Sequence, residues 1–390
     1  MNFITLEADA FREFANKSKY KSFMQTPEIA KLREENGWTV YYFGVESNGK
    51  LKAASMVVAR PTFLGKSTFI APGGPLLDLE DEETTRFFFT QLKKYIKSHN
   101  GYTLHIDPYY ELVERDRDGN LVEHGFDHTR AKQNLKNLGF LPTKSTQPQY
   151  LFVMDLEGRT EDQLLADLKR NTRNHIRKAD KAGVKVRELK REELPILKQI
   201  TESTSKRRNF EDRPLSYYEQ MYDLFHRKHE VQFLVAECEP GNSATRGLFA
   251  GSAENEGAHP ATAGVSDPSR ESTISGSETI PLSAAMFMLY GDEVVYLFSG
   301  SDEQYMKEYN AQYAIQWHII KYAAEHKFKR YNFYGIHDLP KNGELDGIYE
   351  FKKGFDTKHG KVVELIGSYE LPISQPFFQL HKLLARLKHR

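Results

Sequence analysis

Between Lys169 and Lys181 the chain reads KRNTRNHIRKADK, and six of these positions are cations: Lys169, Arg170, Arg173, Arg177, Lys178 and Lys181. At helical spacing Arg170, Arg173, Arg177 and Lys181 fall close to one face, a stripe that can meet several phosphates at once without reading a base sequence. The competing reading is a solvated helix face balanced by neighbouring acids. Further on, Arg213 precedes Pro214 and Tyr217. Arginine grips phosphate with a planar fork, and tyrosine stacks on a base or sugar while keeping a hydrogen-bonding hydroxyl; the same residues also suit a helix start whose tyrosines fill a core. Asp107 ends an apolar run just before Pro108, where it could orient or deprotonate an attacking amine or simply begin a turn. Phe351 and Lys352 sit in the aromatic, basic segment YEFKKGF. Lys352 could stabilise negative charge developing on an ester oxygen, or bind phosphate.

Other chemistries fit poorly. Cys238 is the single cysteine, with no His or Asn partner in sight, so a thiol nucleophile, a disulfide and a thiolate metal cluster are not expected. The histidines show no H-E-x-x-H pattern and no metal is expected. The Pro72-Gly73-Gly74-Pro75 turn lacks the G-K-[ST] ending of a phosphate-binding loop.

These residues need a mixed α/β frame. Thr26-Pro27-Glu28 predicts a capped helix start running to about Glu35. Runs 38–47 and 51–60 flank Asn48-Gly49-Lys50 and predict a β-hairpin. A helix over 82–99 leads to the strand of Asp107, and a short helix spans 129–140. The order of elements then restarts: a strand at 151–156, a helix at 160–168, the basic helix, a strand at 184–189, helices at 192–204 and 215–226, a strand at 231–237, a hairpin over 281–300, a helix over 309–326 and a strand at 331–334. Recurrence of that order predicts two related α/β units. Residues 241–278 are rich in Gly, Ser and Ala without periodicity and read as a flexible insertion, with an ordered lid as the alternative.

The chain has 390 residues, enough for two cores, and 54 basic residues balance 54 acidic ones, so any polyanion site must be a local patch. The first residues lack a secretory signal pattern, and no apolar run is long enough to span a bilayer; a cytoplasmic protein is expected. The segment FFQLHKLLARLKHR is an amphipathic, basic helix pattern. It reads as a docked terminal helix or as a peripheral contact with the inner face of the membrane.

In their order, TPEIAKLREENGW, LHIDP, NTRNHIRKADKAGVKV, RPLSYY, PLSAAMFMLYGDEVVYLFSGS, AQYAIQWHII, YNFYGI and YEFKKGF resemble the Fem family of peptidoglycan interpeptide-bridge enzymes, the non-ribosomal peptidyltransferases of Gram-positive bacteria. The resemblance covers nearly the whole chain. It implies two GNAT-like acyltransferase domains in tandem: residues 1–150, completed by 366–390, and residues 151–365. It implies aminoacyl-tRNA as co-substrate in place of acetyl-CoA, with no tightly bound cofactor. The acceptor would be UDP-MurNAc-pentapeptide or the lipid-linked precursor, carrying an amine on the third stem-peptide residue or on a started bridge. Glycine, alanine and serine are the donors the family favours, and a cell-wall synthesis complex is a further partner. Lys31 and Arg213 then resemble the residues that grip the acceptor phosphates, and Tyr217 a second acceptor contact. Tyr296 matches a position on the strand lining the acceptor groove. Asp107 would lie near the reacting amine, Phe351 and Lys352 beside the tRNA acceptor end, and the basic helix would face tRNA. Larger relatives carry a helical arm where this chain has its Gly/Ser-rich insertion. Two rival readings stay open: an acyl-CoA-dependent N-acyltransferase, against which the absence of a Q/R-x-x-G-x-G/A cradle counts, and a non-catalytic RNA- or precursor-binding protein.

Overall fold

The computed structural model describes residues 1–145, 147–208, 211–239, 279–336, 339 and 347–388. The insertion at 241–278, with its alternative as a lid, lies outside the described residues. In chain order the strands are β1 (Asn2–Thr5), β2 (Thr39–Ser47), β3 (Lys50–Pro61), β4 (Ser67–Ala71), β5 (Gly101–Ile106), β6 (Glu111–Glu114), β7 (Leu141–Thr143), β8 (Tyr150–Asp155), β9 (Lys185–Glu188), β10 (Val231–Cys238), β11 (Ile280–Tyr290), β12 (Glu293–Ser301), β13 (Arg330–Ile336), β14 (Gly360–Leu365) and β15 (Ser368–Pro372). They form two mixed sheets. One has the order β1-β2-β3-β4-β5-β15-β7, the other β6-β14-β8-β13-β12-β11-β10-β9.

Each sheet contains one parallel pair among otherwise antiparallel described pairings: β4 with β5, and β12 with β13. Parallel neighbours need a crossover, and each pair has one, the helix Glu82–Ser98 in the first case and Ala311–Glu325 in the second. Asp81 caps the first crossover helix by accepting from the Thr84 N–H at 3.1 Å. The second is shorter than the predicted 309–326 span. Asn310 adopts φ +52°, so the chain breaks between Met306–Tyr309 and Ala311–Glu325; asparagine tolerates that left-handed geometry better than most side chains. The first hairpin turns at Asn48 and Gly49, both at positive φ, as the primed turn of a tight hairpin requires.

The sheets exchange strands. β6 leaves the first half of the chain to pair with β14, while β15 returns from the far end to lie between β5 and β7. A core is shared as well: Phe11, Ile29 and Met56 from the first half pack in one cluster with Leu197, Tyr218 and Met286 from the second. The helix Pro27–Glu35, capped by Thr26, lies against the helix Leu215–Phe225. That contact brings residues such as Glu35 and Gln220, 185 positions apart, to one place.

Candidate functional site

The first group assembles where those two helices meet the end of β5. Asp107 follows β5 directly, is only 6% exposed, and its Oδ1 accepts from the Gly73 N–H at 3.4 Å. His105 Nε2 lies 4.0 Å from its other oxygen. The Arg213 guanidinium lies over the Tyr217 ring, 5.3 Å from its centroid, and Tyr217 meets Phe298 of β12 edge-on at 5.8 Å. Asp212 holds this segment in place. It accepts from Lys198 Nζ at 2.8 Å, from Thr201 Oγ1 at 2.9 Å and from the Tyr218 hydroxyl at 2.9 Å.

Arg33 completes the group, and sequence reasoning passed it over for Lys31. Burial pulls its guanidinium below the ordinary value; Arg213 pushes the same way, while Tyr217 and Asp107 act in the opposite sense. Its Nε is buried without a hydrogen-bond partner. A desolvated cation beside a second cation is a place for an anion. Lys31 is exposed, and at about 100° per residue it points roughly 200° away from Arg33 around the helix axis. The available signal was the helix itself: Arg33 is the basic position that shares a face with the buried Ile29 and Leu32.

The second group gathers where β12 and β13 part. Their pairing runs only from Glu293↔Arg330 to Val295↔Asn332, so the remainders of the two strands diverge. β13 bulges between Asn332 and Gly335, and Tyr334 stands there at φ +61°, an uncommon conformation for a bulky side chain. Its N–H is held by Asn332 Oδ1 at 2.7 Å and its hydroxyl donates to Gln147. Burial pushes the Tyr334 phenol up, and Tyr217 and Asp107 add to this, so its hydroxyl stays protonated beside the first group. The next carbonyl, Gly335 O, accepts from Lys352 Nζ, and Lys352 is 6% exposed. The bulge therefore adjoins both the Arg33–Arg213 cluster and Lys352. Tyr334 lies within YNFYGI, but nothing in a tyrosine's identity marks a positive φ.

Phe351 packs edge-on to Tyr313 at 5.0 Å, and Tyr313 stacks on His175 of the basic helix at 4.6 Å. This aromatic file joins Phe351 to the helix Arg170–Lys181. Arg170, Arg177, Lys178 and Lys181 are exposed, and Arg173 donates to the Leu168 carbonyl at 3.4 Å. Lys169 pairs with Glu350 at 3.1 Å; among the described residues the other five have no carboxylate partner within ion-pair distance. Gly354 lies so close to Thr172 Oγ1 that an added Cβ would collide with it.

Tyr296 stands on a different face from Tyr217. It stacks on Phe287 at 5.4 Å, and its hydroxyl accepts from Gln312 Nε2 at 2.7 Å at the start of the second crossover helix. Burial pushes its phenol up to about 12. Tyr296 lies on β12 one residue beyond the segment paired with β13 and packs against the second crossover helix. Burial likewise raises the Cys238 thiol, which is enclosed. No group of metal-ligating side chains occurs among the described residues. A cavity of about 500 Å³ lies elsewhere, lined by Tyr20, Tyr109, Glu293 and Arg330, and touches none of the predicted site residues.

Two mixed sheets, each with a single parallel pair among its described pairings, make up the fold, and polar clusters lie where β12 and β13 part. The chain has the fold of a tandem GNAT protein from the clavulanic acid biosynthesis pathway, with TM-score 0.53, 10% identity, and coverage of 96% of this chain and 98% of that one. More specifically, it belongs to the FemAB family, whose model matches residues 6–241 and 267–386. It is 28% identical to the aminoacyltransferase FemA of Staphylococcus aureus (strain MRSA252) over the full length of both chains. The crystal structure of FemX shares its fold with TM-score 0.74, at 21% identity, covering 97% of this chain and 99% of that chain.

Proposed function

We propose that this chain is an aminoacyltransferase that moves an amino acid from aminoacyl-tRNA to an amine of a peptidoglycan precursor. The observation that carries this reading is the convergence at the Tyr334–Gly335 bulge. It adjoins an anion-seeking cluster of Arg33, Arg213, Tyr217 and Asp107, and also Lys352, which is joined through Phe351 and Tyr313 to a helix of cations without carboxylate partners. The sequence likeness to an aminoacyltransferase supports it.

In this reading the neutral acceptor amine attacks the ester carbon of the aminoacyl-tRNA. The new C–N bond forms as the carbonyl electrons move to oxygen. The tetrahedral intermediate collapses with loss of the C–O bond to the tRNA 3′-terminal ribose, which leaves as its hydroxyl once it gains the proton the amine gives up. Lys352 stabilises the developing negative charge. Asp107 orients the amine, Arg33 and Arg213 hold the acceptor phosphates, Tyr217 stacks beside them, and Tyr296 borders the opening. Positioning supplies most of the acceleration. Lys169, Arg170, Arg173, Arg177, Lys178 and Lys181 draw in the tRNA backbone. The chain acts as two GNAT-like units, 1–150 with 366–390 and 151–365, that share strands. Glycine, alanine or serine is the amino acid delivered, to the third stem residue or to a started bridge.

The test offers a mixed pool of charged tRNAs with UDP-MurNAc-pentapeptide and with the lipid-linked precursor in separate reactions, and reads the added mass. One added residue on one acceptor is expected. Ligand retention without amide formation would instead support a binding protein, and transfer from acyl-CoA would support the rival enzyme.

A further inference from the structure

We propose that one end of the first sheet is a docking face for an anionic lipid bilayer, built from the β3–β4 hairpin tip and the helix Gln375–Lys388. Leu64 stands at that tip, 73% exposed and at φ +53°. On the helix Leu383 is 55% exposed, Leu384 41% and Leu380 37%, a three- and four-residue spacing that forms one outward stripe. The inner side is anchored: Phe378 is buried, and Phe63 beside Leu64 stacks on His381 at 6.0 Å. Leucines from the two ends of the chain are thereby brought to one end of the molecule.

Cations surround them. Lys66 Nζ lies 4.8 Å from the centroid of the Phe377 ring, and Lys382, which also pairs with Glu370 at 2.5 Å, lies 5.3 Å from that of Phe378. The Ser67 N–H bonds the Asn100 carbonyl at 3.1 Å, which sets the end of the helix Glu82–Ser98, with its last-turn Lys97, beside the same tip. Lys66 and Lys97 have no carboxylate partner among the described residues, and 375–388 contains no Asp or Glu, in a chain whose charges otherwise balance. Exposed leucines flanked by lysines suit the boundary between acyl chains and anionic headgroups. A second copy of the chain seated on this face would bring the same cations together. No described helix is long and apolar enough to cross a membrane, so the contact is peripheral.

The face is linked to one member of the anion-seeking cluster, Arg33, through Trp38. Arg60, four residues before Leu64, lies over Trp38 at 5.7 Å, and Arg33 lies over the same ring at 5.8 Å. Where the transferase reading holds, a lipid-linked acceptor would keep its tail in the bilayer while its head reaches Arg33; that consequence rests on the reading, whereas vesicle binding does not.

The test is co-sedimentation of the full chain, without tRNA or acceptor, with vesicles of phosphatidylglycerol and phosphatidylcholine and with vesicles of phosphatidylcholine alone. Partitioning onto the anionic vesicles is expected to be about tenfold stronger. Leu64→Asp and Leu383→Asp should each lower it about fivefold or more with the melting temperature unchanged, and Lys66→Glu with Lys97→Glu should remove the lipid preference. No binding to anionic vesicles, equal binding to both kinds, or binding indifferent to the leucine variants would overturn the proposal. So would a lipid-free dimer, seen by sedimentation velocity, that Leu383→Asp converts to monomer while vesicle binding is absent.

Discussion

At the residue scale the instructive pair is Lys31 and Arg33. Both are basic, both lie on the helix Pro27–Glu35, and only Arg33 faces Tyr217, Arg213 and Asp107. Arg33→Ala is expected to raise the acceptor KM about 10- to 100-fold, the worth of a charge-assisted contact to phosphate, whereas Lys31→Ala changes it less than about twofold. Steady-state kinetics at saturating charged tRNA reads both. Lys352 and Arg213 should separate differently. Lys352→Ala lowers kcat by roughly a hundredfold with little change in acceptor affinity, and Arg213→Ala mainly raises the acceptor KM. Equal effects of the two substitutions on both constants would remove that division of roles.

Among the elements, the residue that follows the short helix Gly347–Lys353, Gly354, packs against the start of the basic helix with no space for a side chain. The Lys169 N–H donates to the Gly354 carbonyl at 2.9 Å, and Thr172 fills the space where a side chain at 354 would go. Gly354→Ala should therefore destabilise by about 1–3 kcal/mol and misplace Phe351, lowering both the urea midpoint and kcat. Asp212 performs a comparable service for the segment bearing Arg213. Although burial alone would raise its pKa, hydrogen bonds from Lys198, Thr201 and Tyr218 outweigh that and hold the carboxyl below its ordinary value. A depressed folded value means stabilisation that is complete above the ordinary carboxylate range near about 4 and fades as pH falls through the folded value. Asp212→Asn is thus expected to cost about 1.5–3 kcal/mol at neutral pH, with the gap to the wild type closing in acid, as urea titrations across pH would report.

Over the whole molecule, the seam between the sheets is held by Arg330. It donates to Glu293 and Glu111, each at 2.7 Å, and to the Tyr109 hydroxyl at 3.1 Å, tying β13 to β12, to β6 and to the residues that follow β5. Removing the cation leaves Glu293 and Glu111, both partly exposed at the cavity wall, facing one another, so Arg330→Met should destabilise by about 1–3 kcal/mol. Because β6 and β15 are exchanged and one core spans both sheets, that loss should shift a single cooperative unfolding transition rather than melt one half alone. Calorimetry distinguishes the two: a second resolved transition would contradict the shared-core account.

The amino-acid order by itself determined the elements whose causes are local. Thr26-Pro27, Asn48-Gly49 and the apolar spacing of 82–98 and 311–325 each carry their own cap, turn or periodicity. It also determined the chemical inventory, an Arg-Tyr segment, a Phe-Lys pair and a run of cations. Tertiary structure alone decided which members of that inventory meet. β6 and β15 are too short to announce themselves and exist because distant strands offer them edges. The face of the helix Pro27–Glu35 that packs on Leu215–Phe225 put Arg33, and not Lys31, beside Arg213, and a bulge whose positive φ no side chain signals put Tyr334 there. Local propensity acts over a turn or a strand; a candidate site assembled from residues 33, 107, 213, 334 and 352 is set by packing across the whole chain.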